Sequence, residues 1–292
     1  MKKEQFRERA RRVVKKLFFM ILRIYILVVA LIFLFQNRLV FFPMRKHVAN
    51  PSDWGFPFED VTLITSDDLQ LHGWYIPTVS QENTTTVLFF HGNAGNISHR
   101  FDTFRILGQM GLNVFMIDYR GYGKSQGKPT EQGVYEDART AWNWLIEEKG
   151  LAAGQIVIHG RSLGGVVAAH LAGELGVATG TRPRALVLES TFTDAVGMAR
   201  KRFPFYPRPW LVRVKLEAGR FVQQARCPIL VIHSPTDEIV SYQLGRDLYD
   251  RAPQPKQFLE IAGSHNTGFI ESQVAYIRGI KDFLEQTDPP DE

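Results

Sequence analysis

Gln155-Ile156-Val157-Ile158-His159 runs directly into Gly160-Arg161-Ser162-Leu163-Gly164-Gly165, and Val166-Val167-Ala168-Ala169-His170-Leu171-Ala172 follows. A short β-branched run bounded by glycine reads as a strand, and the Ala/Leu/Val stretch after it reads as a helix. The string between them is G-x-S-x-G, which places a serine at a sharp turn from strand into helix. Small neighbours are needed there because strand and helix must pass close to each other on either side of the serine. The setting, more than the string, makes Ser162 a candidate nucleophile; a glycine-rich turn without chemistry is the bland alternative.

The same rhythm recurs on both sides. Glu59–Thr65 and Leu69–Pro77 read as a strand pair about Ser66-Asp67-Asp68. Val87–Phe90, Asn113–Asp118, Gln155–His159, Ala185–Leu188, Ile229–His233 and Gln257–Ile261 are runs rich in Val, Ile, Leu and Phe, suited to strands buried on both faces. Helical candidates lie between them, near 98–110, 130–149, 163–176, 239–251 and 268–285. This alternation predicts an α/β protein with a mostly parallel central sheet and helices on both faces.

A serine nucleophile needs a base, and the base needs an orienting carboxylate. His265, in Ala262-Gly263-Ser264-His265-Asn266, follows the last strand candidate; Asp237, in Ser234-Pro235-Thr236-Asp237-Glu238, follows the one before. All three residues fall after strand C-termini, where open α/β sheets carry their sites. Glu238 and Glu189 stay open as rival acids. The oxyanion of a tetrahedral intermediate needs fixed donors: the backbone N–H of Leu163 is one candidate, and the loop His91-Gly92-Asn93-Ala94-Gly95-Asn96 offers the other.

HGNAGN at 91–96, DYRGYGKSQGKPTEQG at 118–133, GRSLGG, SPTDEIV and GSHN together resemble the α/β-hydrolase superfamily, above all its branch of membrane-anchored abhydrolase-domain serine hydrolases. The resemblance covers roughly 55–285 and implies that the second oxyanion N–H belongs to Asn93 and that Ser162, Asp237 and His265 form the triad. It also implies carboxylesterase, lysophospholipase or thioesterase activity without a cofactor. Ser264 stands where the family more often has glycine.

The N-terminus adds a location. Residues 2–16 are strongly basic, and Leu17 to Phe35 is apolar except for Arg23. Such a helix rises about 28 Å, close to the hydrocarbon thickness of a bilayer. Arg23 can snorkel. No small-residue cleavage site follows, so the segment reads as an uncleaved anchor. The charge bias predicts a cytoplasmic N-terminus with the catalytic part on the extracytoplasmic side. The expected organisation is a basic segment at 1–16, an anchor at 17–35, a membrane-proximal segment at 36–58, an α/β-hydrolase domain at 59–286 and a polar tail at 287–292. Within it, 192–226 is a short lid-like insert carrying Phe203, Phe205, Tyr206 and Trp210 among many basic residues. Those bases suit the cytoplasmic leaflet, which pulls against the topology just given.

The formal net charge of +5 is concentrated in the N-terminal segment and does not mark a nucleic-acid partner. Gly123-Lys124-Ser125 lacks the glycine of a phosphate-binding loop. His91, His99, His159 and His233 occur singly, without metal-ligand spacing, and the single Cys227 reads as a packed apolar residue. The expected protein hydrolyses an acyl ester or thioester beside a lipid bilayer, with no metal or cofactor. A non-catalytic scaffold on the same fold and a serine peptidase are the rivals. Since every proposed catalytic residue lies beyond Asp60, deleting 1–38 is expected to leave hydrolysis of soluble esters intact.

Overall fold

The computed structural model describes residues 2–78, 85–202 and 211–287. The apolar runs become eight strands: β1 Glu59–Ile64, β2 Gln70–Ile76, β3 Thr86–Phe90, β4 Asn113–Asp118, β5 Ile156–Arg161, β6 Ala185–Glu189, β7 Ile229–His233 and β8 Lys256–Glu260. They form one sheet in the order β1-β2-β4-β3-β5-β6-β7-β8. β1, β2 and β4 pair antiparallel, and every pairing from β4 through β3 to β8 is parallel. β3, β6 and β7 are buried at every position, which is why they read as unbroken apolar runs.

Ten α-helices are described: α1 Lys2–Leu34, α2 Gln36–Val40, α3 Phe101–Gln109, α4 Glu131–Glu147, α5 Leu163–Ala178, α6 Ala195–Arg202, α7 Ala218–Phe221, α8 Tyr242–Arg251, α9 Gly268–Glu271 and α10 Gln273–Gln286. The core splits into two clusters, one on each face of the sheet. Leu88, Phe115, Ile158 and Leu186 point to the α4 and α5 face; Phe89, Met116, Val157 and Val187 point to the α3 and α10 face. Each such side chain contributes roughly 1.5–3 kcal/mol by leaving water. α5 is buried at every position from Leu163 to Ala169 and at Leu171, Ala172, Gly173 and Gly176 beyond, which explains why its sequence is apolar nearly all round rather than striped. α4 starts at an N-cap, Thr130, whose side chain accepts from Gly133 N–H.

The long helix α1 stands apart. Its apolar stretch has none of its length buried, and by length and composition it is a candidate membrane span. The helix breaks at Phe35 (φ −106°, ψ 19°) and resumes as α2. Residues 36–58, the membrane-proximal segment, contact the body: Pro43 pairs with Gly95, and Gly123 N–H donates to Met44 O. α6 and α7, inside the insert, have no counterpart among the expected helices. Phe203, Phe205, Tyr206 and Trp210 lie outside the described residues.

Candidate active site

Parallel order brings the site together. β3, β5, β6, β7 and β8 are consecutive neighbours, so the loops leaving their C-terminal ends share one edge of the sheet. Ser162 follows β5 and caps α5 with φ 55° and ψ −120°. A non-glycine residue held there stores on the order of 1–3 kcal/mol of strain, and the turn is fixed by packing that only glycine allows. A Cβ on Gly160 would run into the carbonyl of Gly164, and a Cβ on Gly164 would run into that of Phe90.

His265 Nδ1 lies 2.8 Å from Asp237 Oδ2, and Nε2 lies 3.1 Å from Ser162 Oγ. A carboxylate only accepts, so Nδ1 carries the proton and Nε2 presents its lone pair to the serine hydroxyl. Asp237 Oδ1 accepts from Ile239 N–H at 2.9 Å and Val240 N–H at 2.8 Å. Burial alone would raise the Asp237 carboxyl. Hydrogen bonds from His233 and His265, the His265 charge and the Val240 N–H outweigh it and hold the group well below its ordinary value.

The rival acids are engaged elsewhere. Glu189 Oε1 and Oε2 accept from Arg161 at 2.6 and 3.1 Å, and Oε2 also meets His159 and the Tyr276 hydroxyl. Burial pushes Glu189 up, but the Arg161 charge and the His159 hydrogen bond bring it down to about 2. Glu238 Oε2 accepts from His265 N–H at 3.0 Å, so it steadies the backbone of the histidine rather than its ring. His233 had looked like an isolated histidine. Its Nε2 donates to Val240 O at 3.0 Å and lies 3.4 Å from Asp237 Oδ2, making it a second imidazole behind the carboxylate. The sequence holds no spacing signal for it beyond its place at the end of β7.

The oxyanion candidates sit beside the serine. Leu163 opens α5, in the first turn, where N–H groups lack helical partners. The loop carrying Asn93 is adjacent: a Cβ on Gly92 would rest 3.6 Å from Ser162 Cβ. Arg100, also missed in the sequence, donates to the carbonyls of Gly92 and Ala94 and so ties down the loop that carries Asn93. Burial, then the neighbouring Arg161 charge, lowers it to about 10. The His91 ring is buried against Tyr119 and Tyr122 at 4.5 and 5.5 Å, and burial brings it down to about 3. Cys227 is buried, and its thiol is pushed up to about 12 by that burial.

These residues open onto a cavity of about 820 Å³. Its walls include Ser162, His265 and Asn93 together with apolar Leu39, Val40 and Phe192. Among the described residues, His47, His72 and Asp118 are the one group whose possible metal-ligand atoms lie within 4.8 Å of one another. Those atoms are already in contact: His47 Nε2 is 2.7 Å and His72 Nδ1 3.3 Å from Asp118 Oδ2. The Gly123 backbone packs against the pair.

This fold and chemistry agree with what the chain resembles. The family model described as serine aminopeptidase, S33 (Hydrolase_4) matches residues 81–207. The α/β-hydrolase domain-containing protein WAV2 of Arabidopsis thaliana is 33% identical over 288 residues, covering 89% of this chain and 91% of that one. An uncharacterized membrane protein of Saccharomyces cerevisiae, YNL320W, is 33% identical over 267 residues, covering 88% and 91%. The Pyrococcus furiosus esterase Pf2001 superposes with a TM-score of 0.67 over 84% of this chain and 99% of its own, at 20% identity, which is a likeness of fold. The chain belongs to the α/β-hydrolase superfamily.

Proposed function

We propose that the protein is a membrane-anchored serine hydrolase that cleaves a carboxylic ester or thioester through an acyl-enzyme. The observation that carries this reading is the continuous chain from Ser162 Oγ through His265 to Asp237, at 3.1 and 2.8 Å, on a strained turn at the mouth of an apolar cavity. Ser162 Oγ attacks the acyl carbonyl while His265 Nε2 takes its proton, and Asp237 stabilises the imidazolium. The N–H groups of Leu163 and Asn93 hold the oxyanion. Collapse breaks the bond to the alcohol or thiol, which leaves with the proton from His265. Water then attacks the acyl-serine with His265 again as base, returning the acid and free Ser162.

Residues 17–35 serve as the anchor, N-terminus cytoplasmic, holding the cavity beside a bilayer. The matched family model's description favours a second reading, an aminopeptidase. That chemistry needs a free carboxylate to hold a substrate ammonium. The cavity's carboxylates are Asp102 and Glu238; the first pairs with Arg105 and the second accepts from His265 N–H. The apolar walls Leu39, Val40 and Phe192 beside Ser162 favour the acyl ester or thioester reading. A fluorophosphonate probe tests the reading: it should label the detergent-solubilised chain at Ser162 and compete with acyl esters. Failure to label, or competition by aminoacyl amides alone, would count against it.

A further inference from the structure

The segment that joins the candidate anchor to the body does more than connect them. Gln36 is a polar residue at the foot of an apolar helix, yet it is only 8% exposed. Its Nε2 donates to Leu211 O at 2.7 Å, and its Oε1 accepts from Arg213 N–H at 2.6 Å and Val214 N–H at 3.3 Å. The Arg213 guanidinium sits 5.3 Å from the centre of the Phe33 ring, so the insert also grips the last turn of α1. α2 is thereby fixed at both its start and its flank, and it presents Leu39 and Val40 to the cavity that holds Ser162.

The next residues seize the loop that bears the second oxyanion donor. Asn93 Oδ1 accepts from Phe42 N–H at 3.0 Å and from the Tyr122 hydroxyl at 2.9 Å, while its Nδ2 donates to Val40 O. Met44 N–H donates to Gly95 O at 3.2 Å. Asn96 Nδ2 reaches Met44 O at 3.0 Å and Lys46 O at 2.8 Å. An oxyanion hole works only if its donors are fixed before the charge develops. Here the fixing partner of that loop, on its outer side, is the chain just past the span.

We propose that residues 36–46 are part of the active site: Leu39 and Val40 form the wall that selects the acyl chain, and Asn93 is the positioning residue through which this segment holds the oxyanion loop. The inference rests on the serine-hydrolase reading and deepens it by naming the substrate class. α2 begins two residues after the end of α1, so the wall lies only about 8 Å beyond the span along a helical path. A long acyl chain can run from the hydrocarbon layer along α2 to Ser162 without crossing bulk water. The substrate is accordingly a long-chain acyl ester or thioester drawn from the bilayer, and a short soluble ester leaves the wall unused.

The test uses the full chain in detergent micelles and p-nitrophenyl esters of acetate, octanoate and palmitate, with fluorophosphonate titration counting competent active sites. The unsubstituted chain should prefer palmitate to acetate in kcat/KM. Leu39→Trp and Val40→Trp fill the cavity and should shift that preference toward acetate by tenfold or more. Ile26→Trp, on the exposed surface of α1, should leave the ratio unmoved. Asn93→Ala should lower kcat on all three esters by about ten- to a hundredfold per titrated site with KM little changed, because it loosens transition-state donors rather than substrate contacts. Labelling with an unmoved chain-length ratio in both tryptophan variants would overturn this inference alone, as would a loss in Asn93→Ala confined to KM. Absence of labelling in the unsubstituted chain would overturn the serine-hydrolase reading itself.

Discussion

Two buried aspartates of this molecule are built alike and face different things. Asp118 ends β4 and Asp237 follows β7; each is met by two histidines and by backbone N–H groups. For both, burial pushes the carboxyl up, and hydrogen bonds from the two imidazoles outweigh it and hold the group well below the ordinary range. The difference lies in the far nitrogen of the histidine. His265 turns Nε2 to a serine hydroxyl at the edge of a cavity, whereas His72 turns Nε2 to Asp60 Oδ1 at 2.5 Å. His47 belongs to the segment after the candidate span and closes it onto the body. One carboxylate orients an imidazole that can pass a proton to a substrate; the other ties down a chain. The same donors and acceptors make a relay facing a serine hydroxyl or a clasp according to what lies one bond further out.

Breaking the two in parallel separates their roles. Asp237→Asn presents a donor to His265 Nδ1 and favours the wrong tautomer, so kcat on an ester should fall by about 10⁴-fold even at temperatures where the variant is fully folded. Asp118→Asn removes a buried charge partner of two histidines and should cost about 3–5 kcal/mol of stability, read as a lowered midpoint in detergent. Probe labelling of that variant at low temperature should persist. An equal loss of turnover in both, or a greater loss in Asp118→Asn, would erase the distinction.

Acid sharpens the comparison further. A carboxyl held below its ordinary value contributes stability that is fully present above the unfolded-state value, about pH 4, and is lost as pH falls through the depressed folded value. The chain should therefore lose stability below about pH 4, and Asp118→Asn should flatten that acid limb in a pH series of thermal midpoints. A limb of unchanged steepness would mean that Asp118 carries no such linkage. The smallest effect belongs to the residue beside the triad acid. Glu238→Gln keeps an oxygen acceptor for His265 N–H, so turnover should drop by no more than about fivefold; a collapse would make Glu238 the orienting acid.

The sheet was legible because strands buried on both faces leave runs such as Val87–Phe90 and Ile229–His233, and the site candidates because they follow such runs directly. Ser162, His265 and Asp237 converge in space as their positions after β5, β8 and β7 anticipated. What stayed hidden has no periodicity. His233 supports Asp237 through a loop that doubles back by way of Val240, and α7 is a single turn whose apolar residues, Ala218 and Phe221, mark no face. The segment after the candidate span binds largely through amide groups and main-chain carbonyls, which no pattern of side chains announces. Its role revises one expectation drawn from sequence. Deleting 1–38 removes Gln36 and with it the hold on Leu211, Arg213 and Val214, so hydrolysis of soluble esters should suffer too. Deletion of 1–34, which keeps α2, should be milder.

The proposed chemistry passes an acyl group through Ser162. Intact-protein and peptide mass spectrometry after rapid acid quench, with a slowly hydrolysed acyl ester as substrate, tests it most directly. One acyl adduct per chain is expected, mapped to the peptide carrying Gly160-Arg161-Ser162-Leu163-Gly164 and vanishing in Ser162→Ala together with turnover. Undiminished hydrolysis in Ser162→Ala, or an adduct on another residue, would contradict it.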